Sequence, residues 1–124
     1  MKPVKQDKLY SDDGIANGNC LAACYASLLE MPLWMVPPFD QMFGRGDWND
    51  RIDLWLVTLG YERAWTDNGN SDDLPEFYIA AGKSPRGVRH AVIYSKGFLV
   101  HDPHWSNEGV IKPDSFYYLI EARE

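Results

Sequence analysis

The sequence predicts an α+β fold in which helices come first and strands later. Three observations carry this expectation. The first half places apolar residues at helical spacing in two separate runs. The stretch "GVRHAVIYSKGFLVHDP" instead alternates and is rich in β-branched and aromatic residues, as is the closing "FYYLIEA". Strands and helices do not alternate along the chain, so βαβ winding is not indicated.

Taken in order, residues 1 to 17 are polar, with at most one short strand around Val4. Asn17-Gly18-Asn19 is turn and N-cap chemistry. A first helix follows from about Cys20 to Glu30, with Leu21, Cys24, Tyr25, Leu28 and Leu29 as its apolar stripe. Pro32 stops it, because the residue before a proline avoids the helical region. "PLWMVPPF" reads as an extended connection stiffened by Pro37 and Pro38. Its Trp34, Met35 and Phe39 read as cover over the first helix, with pocket lining as the alternative.

A second helix fits Trp48 to Leu59, capped by Asp47 and closed by Gly60. Trp48, Ile52, Trp55, Leu56 and Leu59 recur on one face. "TDNGNSDDLPEF" resembles a calcium loop in composition only. Counted from Asp67, Gly69 falls at the third position, where an EF-hand loop needs its glycine at the sixth. It reads as a solvated turn leading into a short helix near Pro75 to Ala81.

The chain has 124 residues, the size of one domain spanning 1–124. It is 45% hydrophobic and 14% aromatic, enough for a sizeable core. The net charge of −6 argues against non-specific nucleic-acid binding, which needs a basic face. No apolar run is long enough for a bilayer, and "MKPVKQDKLYSDDG" has no signal-peptide core. A cytoplasmic protein that neither crosses nor binds a membrane is expected. In that compartment a structural disulfide between Cys20 and Cys24 is not expected, and the helical spacing has poor geometry for one.

The hairpin carries the chemistry. A three-residue loop, Ser95-Lys96-Gly97, pairs Tyr94 with Phe98, Val92 with Val100 and His90 with Asp102. His90 and Asp102 then share a face, with Cβ atoms roughly 5 Å apart. Val88, Val92, Phe98 and Val100 share it with them. A two-residue loop, Lys96-Gly97, slips the register by one and turns Asp102 to the other side. A carboxylate beside an imidazole orients the ring and fixes its tautomer. The plainer alternative is a buried pair that only ties two strands together.

Cys20 opens the first helix, where first-turn amides lack partners and their partial charge favours a thiolate. Those amides also suit an oxyanion. Cys24, one turn further in, reads as a small core residue. A thiol, an imidazole and an orienting carboxylate are the parts of an activated nucleophile.

These residues carry a resemblance. "GNCLAACYASLLEMP", "RGVRHAV" and "HDPH", at Gly18 to Pro32, Arg86 to Val92 and His101 to His104, resemble small bacterial and phage members of the papain-like cysteine peptidase superfamily. The middle of the chain, about Met42 to Lys83, matches only in general helical and tryptophan-rich character. The resemblance implies a papain-like domain, with a Cys-bearing helix packed on an antiparallel sheet that carries His and Asp. It implies Cys20 as nucleophile, His90 as base and Asp102 as orienter, with no cofactor and no metal. The substrate would be a protein, a peptide or a small amide-containing molecule. The superfamily has a glutamine shortly before the cysteine that helps bind the oxyanion. Here the only upstream glutamine is Gln6, fourteen residues before Cys20, so Asn17, Asn19 and the Cys20 amide are alternative donors.

Two other functions stay open on the residues. One is a catalytically idle binding module that keeps the groove and sequesters a small molecule or a host protein. The other is a zinc site from Cys20, Cys24, His101 and His104, whose residue types suit zinc but whose spacing does not. By parity His101 faces away from His90, and His104 lies at the rim of the cleft.

Overall fold

A computed structural model of the chain describes residues 1–7, 19–39 and 45–121, with the side chains of 45–49 excepted. The fold is α+β. Helix α1 spans Cys20–Leu29 and α2 spans Arg45–Thr58. Five strands follow: β1 Tyr61–Thr66, β2 Tyr78–Lys83, β3 Arg89–Ser95, β4 Phe98–His101 and β5 Lys112–Glu121. They form one antiparallel sheet in the order β1-β5-β2-β3-β4. Among the described residues no helix is long and apolar enough to cross a membrane.

Helix α1 is more central than its expected stripe. Ala22, Ala23, Cys24, Tyr25, Ala26 and Ser27 are all buried, which covers nearly every side of the helix. Its core includes Ile79, Ala91 and Ile93 of the sheet and Ile52 and Leu56 of α2. The chain's first residues cover another flank: Ser27 Oγ accepts from the Val4 amide, and the Ser27 carbonyl accepts from the Lys2 amide. The small side chains at 22, 23 and 26 let these elements approach closely. Glu30 ends the helix in the left-handed region (φ 56), returning its amide to Ala26 and Ser27 before Pro32.

Several expectations need correction. "PLWMVPPF" is not wholly extended: Leu33–Met35 makes a 3₁₀ turn before the chain straightens at Val36. Its cover over the core comes from Val36 and Phe39, both buried, while Trp34 is 82% exposed and Met35 half exposed. Phe39 packs its edge on Trp55 at 5.7 Å. Helix α2 starts three residues before Trp48, so Asp47 lies within the helix and does not cap it. Its buried face is Ile52 and Leu56, and Leu59 is partly exposed. Gly60 closes it with φ 83, its amide bonded to Val57. The expected turn at Asn17-Gly18 lies outside the described residues.

The expected short helix at Pro75 to Ala81 is overturned. Tyr78–Lys83 is a strand, and it pairs on both sides, with β3 and with β5. A central strand buried on both faces loses its alternation and reads as a continuous apolar run. β1 was not expected at all. No strand forms around Val4.

Candidate active site

The turn between β3 and β4 decides where Asp102 goes. It is the two-residue Lys96-Gly97, with φ of 53 and 83, which is the backbone a type I′ hairpin needs. The Gly97 amide donates to the Tyr78 hydroxyl and anchors the turn on β2. Ser95 therefore pairs with Phe98 and Tyr94 with Leu99, not Tyr94 with Phe98. Continued without change, this register would point Asp102 away from His90.

It does not continue. The pairing shifts so that Ile93 faces His101, which leaves Val100 as one extra residue on β4. That single insertion turns Asp102 back to the face of His90. Counted onward, Asp102 lies level with Val92, diagonal to His90 and not directly opposite it. The expected His90–Asp102 pairing register is wrong, and the expected shared face is right, because two departures cancel. The expected apolar surroundings hold only on β3: Val92 is buried, but Phe98 and Val100 are exposed.

His90 and Asp102 are buried, and His90 Nε2 lies 2.6 Å from Asp102 Oδ1. The carboxylate is fully engaged. Oδ1 also accepts from the His104 amide at 2.8 Å, and Oδ2 accepts from the Gly109 amide at 2.7 Å. Burial works against its charge, but the bonds from His90, His104 and Gly109 outweigh burial and hold it down to about 2. For His90, burial is the largest influence and disfavours the charged ring. Hydrogen bonding to Asp102 and Cys20, with the charges of both, overcomes it and raises the imidazole to about 9.

Cys20 is therefore the ring's second neighbour. It is half-buried at the tip of α1, within interaction range of His90, whereas Cys24 is fully buried in the core. With Nε2 on Asp102, Nδ1 is the ring nitrogen left for the sulfur. The structure brings Cys20, His90 and Asp102 together.

The expected oxyanion donors divide. Asn17 lies outside the described residues. Asn19 is buried but does not cap α1 with its side chain; its Nδ2 donates to Asp7 Oδ1 at 2.7 Å and its Oδ1 accepts from the Asp7 amide. That pair brings the N-terminal segment to the tip of α1, and Gln6 with it. Gln6 is buried, and its amide donates to the Pro103 carbonyl at 3.0 Å. Gln6, fourteen positions before Cys20 in the sequence, is thus brought near the tip of α1 in space.

The expected metal alternative does not assemble. Cys24 is in the core, and His101 Nε2 is engaged by the Val4 carbonyl at 2.7 Å. No metal-binding cluster occurs among the described residues. His104 is closer to the chemistry than a rim position suggests: its ring stands perpendicular to His90 at 6.1 Å. An open depression of about 430 Å³, lined by Gly69, Ser71, Tyr78, Lys96 and Gly97 among others, lies at the opposite end of β3 from His90.

Sequence reasoning missed the Gly109 and His104 amides and the Lys5 side chain that bonds the same loop. "DPH" carried the signal for His104, since aspartate commonly accepts from the amide two residues on. Lys5 and Gly109 have no comparable signal. The chain matches no family model, no curated protein and no solved structure.

Proposed function

We propose that this protein is a papain-like thiol hydrolase or acyltransferase, with Cys20 as nucleophile, His90 as acid–base and Asp102 as its orienter. One observation carries the reading. The imidazole is held between a fully bonded buried carboxylate and a half-buried sulfur at a helix tip. A pair that only ties two strands has no use for a thiol on the ring's other side.

The proposed steps are these. The Cys20 proton is held on His90 Nδ1 while sulfur attacks the acyl carbon of an amide, isopeptide or thioester. The carbonyl π bond becomes an oxyanion, which the Cys20 amide and the Gln6 side chain receive. As the tetrahedral species collapses, the carbon–leaving-group bond breaks and His90 gives its proton to the departing nitrogen or sulfur. Water then attacks the S-acyl enzyme, His90 accepts the water's proton, and the acid and the thiol are released. An amine in place of water gives transfer. Asp102 stays ionised and holds the ring's tautomer.

The test is trapping of the S-acyl enzyme. Wild type, Cys20→Ala and Cys24→Ala are mixed with a panel of activated peptide esters and thioesters, quenched in acid and digested for mass spectrometry. The reading expects acyl groups on Cys20 in wild type and Cys24→Ala, and none in Cys20→Ala. Acylation at Cys24, or none with any ester, sinks it and leaves the idle binding module.

A further inference from the structure

We infer that Lys5 is a positioning residue for the His90–Asp102 pair: it clamps the loop that carries Asp102 onto the N-terminal segment that carries Gln6. The inference rests on the proposed triad and names a residue that the proposed chemistry does not use.

Lys5 Nζ has three donors, and three oxygens of one loop accept them. They are the carbonyls of Asp102 (2.9 Å) and His104 (3.0 Å) and Oδ1 of Asn107. The same nitrogen lies over the Trp105 ring, 5.5 Å from its centre. One side chain thus touches four of the six residues from 102 to 107. Its neighbours act in the same direction. The Val4 carbonyl bonds His101 Nε2, and the Gln6 amide bonds the Pro103 carbonyl. Three consecutive residues therefore grip successive parts of the segment around Asp102.

The inner side of this loop does the chemistry's positioning. The amides of His104 and Gly109 are the two backbone donors on the Asp102 carboxylate. Lys5 fixes the His104 carbonyl from outside while the His104 amide fixes Asp102 from inside. Asn107 holds φ 57, a left-handed turn that asparagine tolerates, so the loop's shape and the Lys5 acceptor come from one residue. Released from Lys5, the loop no longer holds the carboxylate against the ring, and loosening of a support by about an ångström is enough to cost rate.

The experiment is an NMR titration of the histidine rings, alongside iodoacetamide labelling of Cys20, in wild type, Lys5→Met, Lys5→Arg and Asn107→Gly. The groups that face His90 are Cys20 from α1 and Asp102 and His104 from the loop; Arg86, from the β2–β3 turn, acts on His104. Lys5→Met is expected to lower the His90 midpoint by about one pH unit and slow labelling about tenfold. Lys5→Arg recovers part of both, and Asn107→Gly moves both less, in the same direction. A staple that serves stability alone lowers the melting temperature and leaves the His90 midpoint in place. That result, in folded Lys5→Met, overturns the inference alone. Should Lys5→Met not fold, an unmoved midpoint in Asn107→Gly overturns it equally. Wild-type His90 titrating near 6.5 overturns the proposed triad and this inference with it.

Discussion

The β1–β5 and β3–β4 ladders lie at opposite margins of one sheet and are built differently. β1 and β5 pair without interruption from Tyr61↔Glu121 to Thr66↔Phe116. β3 and β4 hold three pairs and shift register between them. A second irregularity, between β2 and β5 at Ala81/Gly82, falls beside Gly82, the cross-strand partner of His90. One departure lies beside the cross-strand partner of the histidine, and the other lies further along its own strand, at Ile93/Tyr94. A regular ladder fixes side chains by parity alone; a bulge re-aims one where parity gives the wrong face. The β1–β5 margin is regular, and the β3–β4 margin, which leads into Asp102, is not.

The largest effect expected from breaking this contrast is deletion of Val100. The hairpin then keeps its two-residue turn with no extra residue, and Asp102 points away from His90. Labelling of Cys20 by iodoacetamide should fall about 100-fold with circular dichroism unchanged. A comparable loss is expected for Asp102→Asn, which keeps the shape but removes the charge.

Asp102→Asn also carries a pH signature. His90 at about 9 lies above its ordinary 6.5, so its contribution to stability is complete below 6.5 and lost as pH rises through about 9. Asp102 at about 2 lies below its ordinary 3.8, so its contribution is complete above 3.8 and lost as pH falls through about 2. Urea unfolding of wild type should show a plateau between those ordinary values, and Asp102→Asn should flatten both limbs.

Gly82→Ala probes the second irregularity. A Cβ there would stand 2.5 Å from the Lys112 carbonyl oxygen and 3.1 Å from Pro113 Cα, both backbone. A loss of about 2 kcal/mol in urea unfolding is expected. The smallest effect belongs to the regular margin. Glu62→Thr, on the exposed side of β1, should stay within about 0.5 kcal/mol and leave Cys20 labelling unaltered.

The same contrast explains what was legible in the sequence. Helix α1 was readable because its cap-like start, its periodicity and Pro32 agree. The His90–Asp102 meeting was readable as shared chemistry, but not as a register. The turn length was misjudged, and the exposed Val100 gives no side-chain sign that it is the extra residue. β1 escaped because it is a short edge strand whose Glu62 and Arg63 break the apolar alternation. β2 escaped because "YIAAGK" is buried on both faces and lacks a period. The approach of Gln6 to the tip of α1 depends on the Asp7–Asn19 pair, a contact between segments that no local pattern announces.

The central claim is that sulfur, ring and carboxylate act as one unit at the tip of α1. Its most direct test is the rate of Cys20 alkylation at pH 7 in wild type and His90→Ala, read residue by residue by mass spectrometry. The account predicts that Cys20 reacts at least about tenfold faster in wild type, with Cys24 unlabelled in both. Equal rates at Cys20 in the two proteins would contradict it.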